Sequence, residues 1–311
     1  YNAESKAVES MRPNGVLLAQ VAPNGGIISG KSSVVQFDAW NWEDAVIEYD
    51  QGIHINWPSP YTYGRWWLGE DRGLKANNNY SKQIKDLKDF FDKSKANMFI
   101  KKSMNLKSKA MRPIFDGVTT VFLYADDEKE IVDGVTFLKG YGINKIVIVG
   151  ATESKNQLNF IKENNIPVVV KQPYRFPQST DSDPMETFEI AKRMLDHGIL
   201  VSIDPTGTAS ARVSIRNLPF YAGSFSSFGI DKEIALSLIT LNPAKILGID
   251  KDFGTLELGK SATLFVSSGD ALDIISNDVT HAFISGRGLS LETHQTRLWR
   301  RYSNKYSDSQ Q

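Results

Sequence analysis

From residue 119 onward the chain falls into short, uninterrupted apolar runs at 120–124, 145–149, 167–171 and 200–203. Between them lie amphipathic stretches at 127–139, 153–164 and 185–196 whose apolar positions recur at helical spacing. A strand exposed on one face alternates apolar with polar residues; a continuous run is the pattern of a strand covered on both faces, as in a parallel sheet flanked by helices. Strand and helix alternating at this spacing predict a (β/α) barrel. Upstream, residues 3–23 read as a helix ending near Met11, a turn at Gly15 and a buried strand over 16–22. Residues 24–80 are rich in Gly, Asn and aromatics and read as an insertion, with strand-like character only at 33–37. A helical region follows at 81–110, where Ile84, Leu87, Phe90 and Phe91 form a stripe and ten Lys or Arg between 82 and 112 make a solvated face.

The segment 229–270 carries the most specific pattern. Asp231 stands where an N-cap belongs, ahead of Ile234, Leu236, Leu238 and Ile239. Asn242 and Pro243 read as a second N-cap with proline at N1, and Gly248 as the helix stop. Residues 254–260 read as turn, short strand, turn, and 261–267 as a further strand. This segment resembles the C-terminal end of the amidohydrolase superfamily, in its imidazolonepropionase-like branch, through Thr240, Asn242, Pro243, Ala244, Gly254, Leu256, Gly259, Lys260 and Ala262. The resemblance implies an α/β fold, a (β/α)8 TIM-like barrel lacking its N-terminal part, with a small C-terminal β-sandwich portion. The expected divisions are a barrel over 1–253 with the insertion at about 24–80, sandwich strands over 254–290, and a basic C-terminal helix and tail over 291–311.

Composition narrows the partners. The 311 residues are 41% hydrophobic, enough for a large core, and 36 basic residues balance 36 acidic ones. Zero net charge gives no global attraction to nucleic acid or an anionic surface, so small ligands, a protein partner or a homo-oligomer are expected. There is no cysteine, which excludes disulfides and thiolate chemistry. No apolar run reaches the ~18 residues of a membrane helix, and the opening residues lack a signal-peptide pattern. Resemblance to secreted bacterial members places the protein outside the cytoplasm as an expectation.

In such barrels catalytic groups project from the C-terminal ends of the strands. The family resemblance implies a metal held by a His-x-His pair on the first strand, a His each on the fifth and sixth, and an Asp on the eighth. Such a metal lowers the pKa of its bound water to about 7 for attack on an amide carbon. Here the fifth-strand position is Tyr124, the sixth falls at Val149 or Gly150, and the eighth is Asp204. A phenol is a poor zinc ligand and Val or Gly is none, so Asp204 alone is carried over as a catalytic and metal residue. Asp204 also reads as a simple cap of the loop that follows. The His-x-His pair does not occur, and the sandwich strands are short of partners. Both features suggest that residues before Tyr1, or another chain, complete the protein.

The four histidines are separated by more than ten residues each. His54 reads as a hydrogen-bonding loop residue, His197 as a helix C-terminal residue before Gly198, His281 as part of a sandwich strand and His294 as part of the tail helix. Asp126, Asp127, Glu128 and Glu153 lie near strand ends and could act as an acid pair, but Asp127 and Glu128 more simply begin a helix. Trp40, Trp42, Trp57, Trp66 and Trp67 in the insertion suit a mini-core, a protein interface or a ligand platform. The expected function is an amidohydrolase-like protein with most metal ligands absent, silent and used for binding or assembly, with no cofactor or one divalent metal, zinc if the site survives. The alternative is an active metal-dependent amidohydrolase whose missing ligands lie upstream of Tyr1.

Overall fold

A computed structural model describes residues 1–64, 68–69, 73–98, 105–176, 182–206 and 214–307. Its strands are β1 (Leu18–Val21), β2 (Ile28–Gln36), β3 (Val46–Asn56), a small ribbon of β4 (Tyr61–Tyr63) and β5 (Leu74–Ala76), β6 (Thr120–Ala125), β7 (Ile146–Gly150), β8 (Val168–Lys171) and β9 (Val201–Asp204). Seven of these form one sheet in the order β1-β2-β3-β6-β7-β8-β9. The first three run antiparallel to one another, and β3 with β6 to β9 are parallel. The parallel part curls into half of a barrel.

The continuous apolar runs are explained by two covered faces. Val121, Leu123, Ile146, Ile148, Val168 and Val170 point outward into the main core. Beyond the short helices α1 (Lys6–Glu9) and α2 (Trp42–Ala45), there they meet α3 (Tyr80–Asn97), α4 (Leu106–Phe115), α5 (Glu128–Gly140), α6 (Leu158–Glu163) and α7 (Glu186–Asp196). Phe122, Val147, Val149 and Val169 point inward and pack on Ile246 and Leu247. Alternate residues of one strand therefore serve two cores.

Residues 24–80 do not form a separate insertion. β2 and β3 lie inside the main sheet, and β3 pairs in parallel with β6 through His54 opposite Phe122 and Asn56 opposite Tyr124. The first half of β3 escapes recognition because Glu48, Tyr49 and Asp50 are exposed. β1 is half-exposed rather than buried, since it is the edge strand with a neighbour on one side only.

After β9 come α8 (Leu218–Ser227), α9 (Lys232–Ser237) and α10 (Leu241–Leu247). Asp231 caps α9 as expected, accepting from the N–H groups of Glu233 and Ile234. Asn242 is not an N-cap: Thr240 holds that place, and Asn242 is buried in the first turn, its amide donating to the Val201 carbonyl at 2.8 Å. That bond ties α10 to the last barrel strand. Replacing Asn242 with Ala strands the buried carbonyl and is expected to cost about 2 kcal/mol, read as a lowered urea midpoint.

A second sheet holds β10 (Leu264–Ser267), β11 (Val279–Ile284) and β12 (Arg287–Gly288), all antiparallel. No strand forms over 254–260, and Leu256 and Leu258 are exposed. A strand needs a neighbour for its N–H and C=O groups, and no described residue pairs there. The chain continues into α11 (His294–Ser307), the basic helix expected from the sequence.

Candidate functional site

The alternation that sends Val121 and Leu123 outward sends Tyr124 inward at the end of β6. By the same rule Val149 on β7, Lys171 on β8 and Asp204 on β9 face the barrel interior, and Lys171 lies in register with Asp204. Tyr124, Val149 and Asp204 therefore all lie at the strand ends, on the inner side.

Tyr124 has a partner that sequence separation concealed. His54, two register positions before Tyr124 on β3, is buried, stacks on Phe122 at 4.9 Å and contacts the Tyr124 hydroxyl through Nδ1 at 3.1 Å. It is a core histidine on a central strand, not a loop residue. Burial pushes its pKa down to about 4, while burial and then the Asp204 carboxylate push the Tyr124 phenol up to about 12. Both groups are thus neutral between those limits. The pair shares a hydrogen bond and supplies neither a phenolate ligand nor a general base near neutrality. His54 Nε2 is buried without a hydrogen-bond partner among the described residues.

The sixth-strand position is closed for a different reason. Val149 is buried against Phe122 and Ile246, and Gly150 has φ +110°. A Cβ on Gly150 would stand 2.5 Å from Asp126 Oδ1, so any side chain there would collide with the neighbouring carboxylate.

Asp126 is the centre of a network that the sequence did not reveal. It accepts from Thr152 Oγ1 at 2.6 Å and pairs with Lys171 Nζ. Arg175 donates through Nη1 to Thr152 at 2.9 Å, while its Nε is buried without a partner among the described residues. Burial lowers the Arg175 pKa, against the pull of Asp126, Glu153 and Glu186. Glu153 is raised by burial and then by Glu186. The available signal was Lys171 itself, a cation closing an apolar run at a strand end. Asp127 and Glu128 do begin a helix: Asp127 caps α5 in a reciprocal arrangement with Glu130, and Glu128 accepts from Asn156.

Asp204 Oδ1 accepts from the Thr206 N–H at 2.8 Å, the loop-capping arrangement. Its other carboxyl oxygen takes no hydrogen bond among the described residues. His197 closes α7 with Nδ1 on the Arg193 carbonyl, His281 lies on β11, and the His294 N–H bonds Glu9. Of the tryptophans, Trp57 is core: it is buried, edge-on to Phe137 at 5.4 Å and donates to Tyr80. Trp40 and Trp42 are exposed, and Trp66 and Trp67 lie outside the described residues.

Among the described residues no three His, Asp or Glu side chains converge to hold a metal ion. With Tyr124 engaged by His54, Val149 apolar and Gly150 unable to carry a side chain, the described residues do not fit a divalent metal by themselves. No described helix is long and apolar enough to cross a membrane.

An imidazolonepropionase of Legionella pneumophila (strain Corby) is 26% identical over 116 residues, which are 37% of this chain and 27% of that protein. The chain thus matches about a quarter of the length of its curated relative. The solved structure of an amidohydrolase from Thermotoga maritima MSB8 superposes with a TM-score of 0.78 at 21% identity, covering 93% of this chain and 76% of that one, and shows the same fold. Amidohydrolases usually bind a divalent metal. Residues 126–288 match the amidohydrolase family. That match runs from the Asp126 network through the last barrel strand into the small sheet, more than half of the sequence, and the chain belongs to the amidohydrolase family.

Proposed function

We propose that this chain is an amidohydrolase barrel altered for binding or assembly, in which the residues present do not activate a metal-bound water. The hydrogen bond between His54 and Tyr124 carries the reading. It commits the side chain at the fifth-strand position to a neutral, internally satisfied pair. The Asp126–Lys171 pair adds a fixed cation beside the carboxylates of the strand ends, so local charge is balanced without a metal.

The test is elemental analysis of the purified protein together with hydrolysis assays on small and cyclic amides. The expected result is less than about one tenth of a zinc, iron or manganese per chain, because affinity for these ions needs three or four converging donors. Stoichiometric zinc that is lost in Asp204→Asn, with amide hydrolysis lost alongside it, would overturn the proposal. That outcome belongs to the second reading, an active metal-dependent amidohydrolase whose other ligands come from residues outside this sequence. The observation favouring it is Asp204, on the inner face at the end of β9 with one carboxyl oxygen unbonded among the described residues.

A further inference from the structure

A cleft of about 760 Å³ lies beside α8, and Tyr124, Val149 and Asp204 are not among the described residues that line it. Phe220, Gly223, Ser224 and Ser227 stand at helical spacing, so one face of α8 makes its first wall. The second wall is the loop of Asp270, Leu272 and Ile274. Asp270 and Asp273 pin that loop by accepting from the N–H groups of Leu272 at 2.9 Å and Ile275 at 3.2 Å. The third wall is Tyr174, whose N–H donates to Gln172 Oε1 at 2.6 Å while Gln172 Nε2 donates back to its carbonyl at 3.1 Å. The Tyr174 ring stands edge-on to Phe188 at 5.4 Å. The walls are thus held by the protein's own bonds, around a volume ordinary for a small-molecule site.

The hydrogen bonds of the lining select the ligand's chemistry. A hydroxyl has one hydrogen to give and two lone pairs to receive with. Ser224, Ser226, Ser227 and Tyr221 give theirs to the carbonyls of Phe220, Ile230, Gly223 and Ser214. With the Ser224 hydrogen committed in this way, Tyr174 is the donor in its 2.8 Å contact with Ser224 Oγ. These five side chains therefore keep acceptor capacity only. The charges point the same way: Lys232 is paired with Asp270 at 2.6 Å, which leaves the carboxylate of Asp273 in excess on the lining. Phe220, Tyr174 and Tyr221 add aromatic rings, which attract cations over their faces. Ile274 stands on the lining 68% exposed, an apolar side chain that a bound molecule would cover.

We propose that this cleft binds a small organic ammonium ion, its apolar body against Phe220, Leu272 and Ile274 and its N–H groups directed to the hydroxyl oxygens and Asp273. An ammonium group brings donors to a lining of acceptors and balances the unpaired carboxylate, and such charge-assisted bonds are about twice as strong as neutral ones. A carboxylate of the same size would meet lone pairs and a like charge. The assignment goes beyond the strand-end reading and does not depend on whether a metal is held there.

The test is isothermal titration calorimetry at pH 7 with three matched probes: tryptamine, its neutral alcohol tryptophol, and the anion indole-3-propionate. Tryptamine is expected to bind with a Kd of about 100 μM. Tryptophol should bind about tenfold more weakly and the anion more weakly still. Raising salt should weaken tryptamine and leave tryptophol unchanged. Ser227→Phe, an exposed position on the cleft face of α8, should abolish binding of both by filling the cleft. Asp273→Asn should weaken tryptamine alone. Melting temperatures check that each variant is folded, and the probe comparison and Ser227→Phe stand without Asp273→Asn if its loop is disturbed. No tryptamine binding up to about 5 mM, an anion that binds as tightly as the amine, or tryptamine binding unchanged in Ser227→Phe would each overturn the proposal.

Discussion

Lowering the pH from 6.5 to 4 is expected to remove about 3 kcal/mol of folding stability through His54 alone. The unfolded imidazole takes a proton near 6.5, whereas the folded one, buried against Phe122, resists it down to about 4. The unfolded state therefore binds more protons across that window, so stability falls as pH falls through it and levels off below. Above 6.5 the contribution is fully present and flat. Glu130 and Glu153 work in the opposite sense, because burial raises their pKa values and the folded state protonates first. The quantity to measure is therefore a difference: urea denaturation across the window for the original protein and for His54→Phe. The replacement should flatten the acid-side loss by about 3 kcal/mol. Equal slopes in the two proteins would mean that His54 is either solvated or already paired through Nε2.

Gly223→Ala should destabilise the protein by about 3 kcal/mol, although alanine is the better helix former by about 1 kcal/mol. Gly223 lies inside α8, and a Cβ there would stand 2.1 Å from the Leu272 carbonyl oxygen. The obstacle is backbone, so no rotamer change relieves it. The loop around Leu272 is itself anchored, by Lys232 on Asp270 at 2.6 Å and by the Leu272 N–H on Asp270 at 2.9 Å. Either the loop or the helix must shift. A cleft of about 760 Å³ lies between them, lined by Tyr174, Tyr221 and Leu272 among others, and it would change shape. Thermal denaturation decides the matter: a melting temperature equal to or above that of the original protein would show that the loop yields freely.

The barrel half was legible because its strands are buried on both faces, which writes a continuous apolar run into the sequence whatever the neighbours are. Runs at 120–124, 145–149 and 200–203 became β6, β7 and β9 within a residue or two. β3 was not legible: its exposed Glu48-Tyr49-Asp50 stretch breaks the run, and its buried half, Gly52 to Ile55, is too short to stand out beside the aromatic segment. Asn242 was recognised in its motif but misplaced as a cap, since nothing local shows that its amide reaches a strand forty-one residues away.

The site divides in the same way. Sequence alone determined which residue types stand at the strand ends, because a run that closes on Tyr124, Val149 or Asp204 puts those side chains at the mouth by the geometry of a strand. It also determined the family, through the fixed spacing of capped helix and turn over 240–262, and the basic character of the last helix. Only the tertiary structure decided what those side chains do. His54 and Tyr124 are seventy residues apart in the chain, and Lys171 and Asp126 are forty-five apart. The protonation state of each depends on the burial and charge that packing creates, and a one-dimensional pattern records neither.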